Sequence, residues 1–365
     1  VKVLVVPSGN DASAVLRLIW PANGLAERGH DVTVTDLGWR LEVYTDDEGN
    51  PVELMNQPRF DVMVLQRMQL GRLVQAIPLL QRAGVAVVVD LDDDFEQIDR
   101  NNAAWAGTQP QNDRAYNYEH LKRACATADL VTTSTPLLAE IYAKHGRSVV
   151  VANRLPRRVC EFEHVEVDPP RIGWAGDVKT HPRDLQVTRG IVAQVLDKTG
   201  ASFVQVGPGG AAALLGIKRS ERHPHMRGTP ECFPEEMATG FVPFEQWYAS
   251  VNANIDIGIA PLAPTRFNDC KSGLKLLEHS ALGIPCVVTP TPDNMRLHAL
   301  GMGIYARKPR DWERELTKLA TDAGWRGEVA ARSKEAARSE VLEDHLHEWS
   351  DAWELARDHH QWRRG

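Results

Sequence analysis

Two lysines at the mouth of an otherwise apolar helix are the first residues in this chain whose placement suggests chemistry. The stretch FNDCKSGLKLLEHSALGIPCVVT runs from Phe267 to Thr289. Leu274, Leu277 and Ala281 recur at helical spacing, Gly283 stands where helices end in a left-handed residue, and IPCVVT follows as a short buried strand. Lys271, Lys275, Glu278 and His279 fall on the other stripe. Read as a solvated face, that stripe offers only a Lys275–Glu278 pair worth about 0.2–0.5 kcal/mol. A cation at a helix N-terminus opposes the macrodipole, however. Two lysines beside the N–H groups of Ser272, Gly273 and Leu274 therefore predict a bound anion.

A second basic loop has the composition to face the same anion. In GDVKTHPRDL, Gly176 lets the backbone approach a ligand, and Lys179, His181 and Arg183 offer up to three cationic donors within five residues. Backbone N–H groups and side-chain cations together suit a diphosphate. VGPGG, which contains Gly207, lacks the ending of a P-loop and by itself signals only a tight turn. The densest acid is DLDDD, Asp90 to Asp94. Three readings stand open for it: a divalent-metal site, a general base or hydroxyl-binding carboxylate, and a polar helix cap or structural network. Since the cations above can neutralise a diphosphate unaided, no metal is expected. His223, His225 and Cys232 do not have metal-ligand spacing, and no nucleophile-elbow or kinase signature is present.

These loops need strands to hold them. VKVLVVP, DVTVTD, FDVMVLQ, VAVVVDLD, ADLVTTS and SVVVAN alternate with helical patterns through the first 155 or so residues, and RIGWAG, SFVQVG, NIDIGIAPL, IPCVVT and GIYAR repeat the alternation further on. Short β-branched runs separated by crossover lengths predict parallel sheets covered on both faces. The expected fold class is α/β: two tandem Rossmann-like, doubly wound domains facing a cleft. The expected boundaries are 1–156 for the first domain, 157–170 for a linker, 171–327 for the second domain, and 328–365 for C-terminal helices packing back toward the first. Ligands of such sheets bind at the carboxyl ends of the strands, so the loops named above should converge on one cleft.

Bulk composition bounds the partners. An apolar share of 43% and a charged share of 25% are those of a globular protein, and a formal charge of −7 gives no global attraction to nucleic acid. Five scattered cysteines without a C-x-x-C indicate neither a disulfide framework nor a zinc ribbon, and fit a reducing cytoplasm. With the first strand beginning at once, no signal peptide is expected, and no apolar run approaches the length of a membrane span. Oligomeric state is not encoded in any pattern found.

The order GWAGDVKTHPRDL, VGPGG, GFVPFEQWYASVNANIDIGIAPL, FNDCKSGLKLLEHSALGIPCVVT resembles the donor-binding half of GT-B glycosyltransferases related to family 4, most strongly over residues 170–290. RLIWPANGLAERGH followed by DVTVTD resembles the opening of the same proteins, and DLDDD in the first domain resembles a branch of this group common in bacteriophages and bacteria. The resemblance implies that Glu278 holds the ribose of a nucleotide sugar. It further implies that Lys271, Ser272, Gly273, Leu274 and Lys275 hold the diphosphate with Gly176, Lys179, His181, Arg183 and Gly207, and that Phe241, Val242 and their neighbours flank the base. Such enzymes often carry a second glutamate, separated from the first by seven residues; here that position is Cys270. No match appears for the histidine they place near the reacting sugar.

The expected activity is transfer of a sugar from a UDP- or GDP-sugar to a hydroxyl acceptor with retention, and with no cofactor required. Lys271 and Arg183 would stabilise the leaving diphosphate, and Asp92 would act at the acceptor hydroxyl. Ser8, Asn10, Asp92, Asp94 and Trp105 are the expected acceptor-binding residues, since carboxylates and an aromatic suit a polyhydroxyl molecule. A glycan or protein-linked hydroxyl is placed ahead of a hydroxymethylated base in phage DNA, which would need a basic track along the cleft. A sugar-nucleotide epimerase or a nucleotide-sugar-binding protein of the same fold is the alternative from another class.

Overall fold

The computed structural model describes residues 1–36, 39–217 and 244–364. Its first parallel sheet comprises β1 (Val3–Val6), β2 (Val32–Val34), β5 (Val62–Gln66), β6 (Ala86–Leu91), β7 (Leu130–Thr133) and β8 (Ser148–Val150), in the order β2-β1-β5-β6-β7-β8. Every residue of β5, β6 and β7 is buried, as a sheet sandwiched on both faces requires. The second sheet comprises β9 (Arg171–Ala175), β10 (Ser202–Val206), β11 (Ile257–Ala260), β12 (Cys286–Val288) and β13 (Ile304–Tyr305), in the order β10-β9-β11-β12-β13. Each apolar run identified in the sequence supplies one of these strands, and the α/β, doubly wound fold class is as expected. Both sheets switch direction at their first strand, between β1 and β5 and between β9 and β11, which is where open α/β sheets form crevices.

An antiparallel hairpin of β3 (Val43–Thr45) and β4 (Pro51–Leu54) is an addition that the sequence reading did not contain. Its turn is closed by Asp46, whose Oδ1 accepts from the N–H groups of Glu48 and Asn50.

The chain crosses between the two sheets twice, and the crossings are tied together. Leu342 N–H donates to Leu155 O at 2.8 Å, and Arg154 pairs with both Glu340 (2.5 Å) and Glu348 (2.8 Å). The helix Ala323–Ala337 does not break at residue 327, and it buries Val329 and Ala337 in the core of the second sheet. The helix His347–Arg364 lies against the first sheet, where Trp349 and Trp353 join Val5, Val64 and Val88 in one apolar cluster. None of the described helices is long and apolar enough to cross a membrane.

Candidate active site between the two domains

The helix Leu274–Ala281 starts at the carboxyl end of the second sheet and points its first residues at the other domain. A cavity of about 170 Å³ lies there, lined by Ser13, Asp92, Asp93 and Asn153 from the first domain and by His181, Lys271–Lys275 and Asn294 from the second. It joins the two sequence features first singled out, the basic helix mouth and the loop after β9.

On the polar stripe of this helix Glu278 and His279 are buried and Lys275 is half-buried. Lys275 Nζ donates to Ala175 O at 2.6 Å and stands 5.3 Å from the centre of the Trp174 ring. Burial lowers the pKa of this ammonium group, opposed by the nearby Glu278 carboxylate. Glu278 is pushed up to about 7 by burial, against the pull of Lys275 and of hydrogen bonds from Tyr248 and Trp247. His279 is fully enclosed, packed against Gly258 and lowered to about 4 by burial. A solvated face is therefore excluded. Gly176 is required here: at φ +149° its backbone takes a conformation that L side chains rarely adopt, and a Cβ would stand 2.8 Å from Lys275 Nζ.

The Glu278 carboxyl has a consequence for stability. Its pKa in the folded chain lies above the ordinary 4.5, so the folded state holds the proton more tightly than the unfolded state. The contribution is favourable at acidic pH and is lost as pH rises from about 4.5 through about 7. Glu278→Gln should melt higher than the parent at pH 8, with the difference shrinking toward pH 5. Parallel melting profiles across that range would exclude this environment for Glu278.

Lys271 behaves differently. Its Nζ is 3.4 Å from Asp93 Oδ1 across the cleft and 4.6 Å above the Phe267 ring, and its side chain remains 21% exposed. Ser272 Oγ accepts from Asn153 Nδ2 at 2.8 Å, a second bridge between the domains. Of the three N–H groups expected to face an anion, that of Gly273 is already donated to Asp293 Oδ2 at 2.7 Å. Cys270, at the position where the resembling enzymes often carry a glutamate, is fully buried, and with Phe267 it joins the core of the first domain. Its carbonyl accepts from Thr135 Oγ1 at 2.8 Å. The backbone before the helix is thus clamped to the opposite domain.

His181 is present in the cavity, but not as a cation. Its Nδ1 is 2.8 Å from Asp184 Oδ2, and Asp184 is itself fixed by Asn268 Nδ2 and the Ala263 N–H. Burial lowers His181 to about 4, with Lys275 and Lys271 adding to the effect and Asp184 opposing it. The carboxylate can only accept, so Nδ1 carries the proton and Nε2 is left as the free ring nitrogen. The expectation of a third positive charge is revised accordingly. Asp184 was missed in the sequence, although its spacing three residues after His181 was the available signal.

Arg183 and Lys179 do not join the cavity. Arg183 is 60% exposed and pairs with Asp99 of the first domain at 2.8 Å, while Lys179 is exposed. The catalytic expectation for Arg183 does not fit that placement. Gly207 acts at one remove: at φ +111°, its missing side chain leaves room for the carbonyl of Gly176, which would lie 2.4 Å from a Cβ.

The acids of DLDDD separate into distinct roles. Asp90 is fully buried against Arg17 and accepts from Thr132 Oγ1 at 2.8 Å. Asp92 accepts two bonds from Arg67, at 2.7 and 2.9 Å, and one from Ser13 Oγ. Burial would raise its carboxyl, yet Arg67 and Ser13 hold it down at about 2. A carboxylate so saturated is a poor base, which corrects the catalytic expectation for Asp92 while leaving it in the wall of the cavity. Asp94 is 1% exposed and bonded to Tyr142, so the acceptor role expected for it is corrected to a core contact. Among the described residues no group of three or more His, Cys, Asp or Glu could hold a metal ion.

Of the remaining expected acceptor residues, Ser8 caps Gln66 through its N–H and Oγ at 3.0 and 3.1 Å. Asn10 is exposed, and Trp105 stacks under Arg100 at 5.8 Å. Neither of these two lines the cavity. Phe241 and Val242, like His223, His225 and Cys232, lie outside the described residues. Arg67 and Asp93 were not singled out for the site, because both act on residues far away in sequence.

No protein-family model matches the chain, and no curated protein matches its sequence. Its architecture is nevertheless shared with solved enzymes. HepE of Anabaena in complex with UDP and glucose is similar with a TM-score of 0.56 at 12% identity, over 96% of this chain and 98% of that one. The sucrose-phosphate synthase of Thermosynechococcus elongatus gives 0.57 at 12% identity, over 96% and 98%. A glycosyltransferase of Rickettsia africae gives 0.58 at 10%, over 97% and 98%. At such identities the likeness establishes the GT-B fold.

Proposed function

We propose that the chain is a glycosyltransferase that moves a sugar from a UDP- or GDP-linked donor to a hydroxyl acceptor, with retention at the anomeric carbon and without a divalent cation. The observation that carries this reading is the meeting of Lys271, Lys275 and the first turn of the helix Leu274–Ala281 in a cavity walled by both domains. Charge develops on the leaving diphosphate, and cations fixed around that position in a site shielded from water stabilise it without reorganising. The departing oxygen takes the acceptor proton, since Asp92 is saturated. An entering diphosphate also favours protonation of His181, whose second nitrogen then becomes a donor braced by Asp184. That HepE has been solved with UDP-glucose supports a nucleotide-sugar donor on this fold.

Incubation with a panel of UDP- and GDP-sugars, with glycan, peptide and hydroxymethylated-DNA acceptors and with none, followed by mass spectrometry, tests the reading. A transferred sugar supports it. A sugar nucleotide altered without acceptor indicates an epimerase, and a thermal shift with no product indicates a binding protein. Turnover should persist in excess chelator; loss restored only by magnesium or manganese would overturn the metal-independent mechanism.

Asp93 adds a further expectation. Its carboxylate sits on Lys271 where the diphosphate is proposed to bind, and burial together with the neighbouring Asp92 disfavours its charge. Donor binding must displace it. Asp93→Asn should therefore tighten UDP binding by about 3–10-fold at unchanged fold, read by calorimetry, as expected for removing about 1 kcal/mol of competition. Weaker binding in that variant would mean that Asp93 supports the ligand rather than competing with it.

A further inference from the structure

A second, larger cavity of about 580 Å³ opens on the first domain, at the switch point between β1 and β5. The hairpin β3–β4 forms one side, and the start of the helix Gly71–Arg82 forms another. Arg67 lines this cavity while gripping Asp92, which lines the cavity between the domains. The Arg67–Asp92 pair is thus a shared wall, and an acceptor seated here lies beside the proposed donor site.

The lining specifies more than a location. Trp39 and Tyr116 provide aromatic surface, with Leu73 and Met68 adding apolar contact. Gln69 is 1% exposed; its Nε2 donates to Tyr116 Oη at 3.3 Å, while its Oε1 has no hydrogen-bond partner. A buried amide oxygen left unsatisfied carries an uncompensated desolvation penalty and calls for a donor such as a ligand hydroxyl. The charges are asymmetric. Arg67 is balanced by Asp92 and Asp11, and Asp36 and Arg40 are of opposite sign. Arg72 remains, with no ion pair among the described residues, its guanidinium held over the hairpin turn at Gly49. A planar fork without a carboxylate partner suits a phosphate or a carboxylate.

We infer that this cavity binds an acceptor sugar bearing an acidic group, with the acid on Arg72, the ring against Trp39 and Tyr116, and a hydroxyl donated to Gln69 Oε1. The inference rests on the glycosyltransferase reading for its meaning as an acceptor site, but its test is a binding measurement independent of turnover. Glucose, glucuronate and glucose 6-phosphate are titrated calorimetrically into the protein, with UDP titrated separately. At least one acidic sugar should bind tenfold or more tightly than glucose, and comparison of the two acids separates a carboxylate site from a phosphate site. Arg72→Gln should remove the preference without moving the melting temperature, and Gln69→Leu should weaken the preferred acid. Equal affinity for glucose and both acids, or no heat from any of them, would overturn the inference. So would loss of acid binding in Lys271→Ala but not in Arg72→Gln, since the acid would then occupy the diphosphate cavity. If UDP fails to bind while the acid does, the donor reading falls and the anionic site stands.

Discussion

Turnover by Lys271→Ala should fall by about 10²-fold or more, the loss seen when one preorganised charge stabiliser is removed from a developing anion. Lys271 is the side chain best placed for that role, because it is partly open to the cavity and its one ion pair among the described residues is one that a diphosphate can displace. Lys275, by contrast, is committed to Ala175 O and the Trp174 face, and helps chiefly by fixing the helix mouth and raising the local potential. Stability should change little. The Lys271–Asp93 pair is 3.4 Å long with both side chains more than a fifth exposed, so its loss is worth about 1 kcal/mol or less. Steady-state kinetics on the donor found by mass spectrometry, together with UDP calorimetry and melting, separate the two effects. A variant that keeps the parental kcat would remove Lys271 from the mechanism.

Which of these features could be read from residues alone follows from how far apart the interacting groups lie. The strands of both sheets were legible because parallel strands buried on both faces must be continuous apolar runs, as in AVVVDL of β6. The hairpin was not, since VYT and PVEL are short, largely exposed and carry no such run. Periodicity placed Lys275, Glu278 and His279 on one stripe correctly, but it could not say what covers that stripe. The cover comes from Trp174 and from Trp247 and Tyr248, well away in the chain. Likewise Lys271 meets Asp93 across 178 positions and Ser272 meets Asn153 across 119, so no local pattern announces either contact. His181 with Asp184 is the counter-example: a three-residue spacing that could have been read, and whose neglect led to a cation being expected where a neutral ring stands.

Arg17 anchors a buried network that reaches the helix mouth of the second domain through Asn153, and Arg17→Met should destabilise the chain by about 3–5 kcal/mol. Its guanidinium is fully buried and pairs with Asp90, which is equally buried, through Nε at 3.2 Å and Nη2 at 2.6 Å. Nη1 donates to Val151 O and to Asn153 Oδ1, and Asn153 in turn donates to Ser272 at the helix mouth. The backbone is used as well. Arg17 lies in a π-helical turn, Val15–Ile19, and its carbonyl accepts from Trp349 Nε1 at 2.7 Å, which ties the returning C-terminal helix to the same point. Methionine retains the length of the stem but leaves Asp90 as an uncompensated buried charge, with Thr132 its only remaining side-chain donor among the described residues. The penalty is thus mostly the stranded carboxylate rather than the lost attraction, which gives a decisive comparison. Arg17→Met with Asp90→Leu should recover a large part of the loss in urea midpoint, because an apolar pair of similar volume removes both charges together. UDP affinity should not recover with it, since Asn153 remains without the donor that orients it toward Ser272. A double variant no more stable than Arg17→Met would show that the cost lies in packing around the π-turn, and restored UDP affinity would remove the path from Arg17 to the helix mouth.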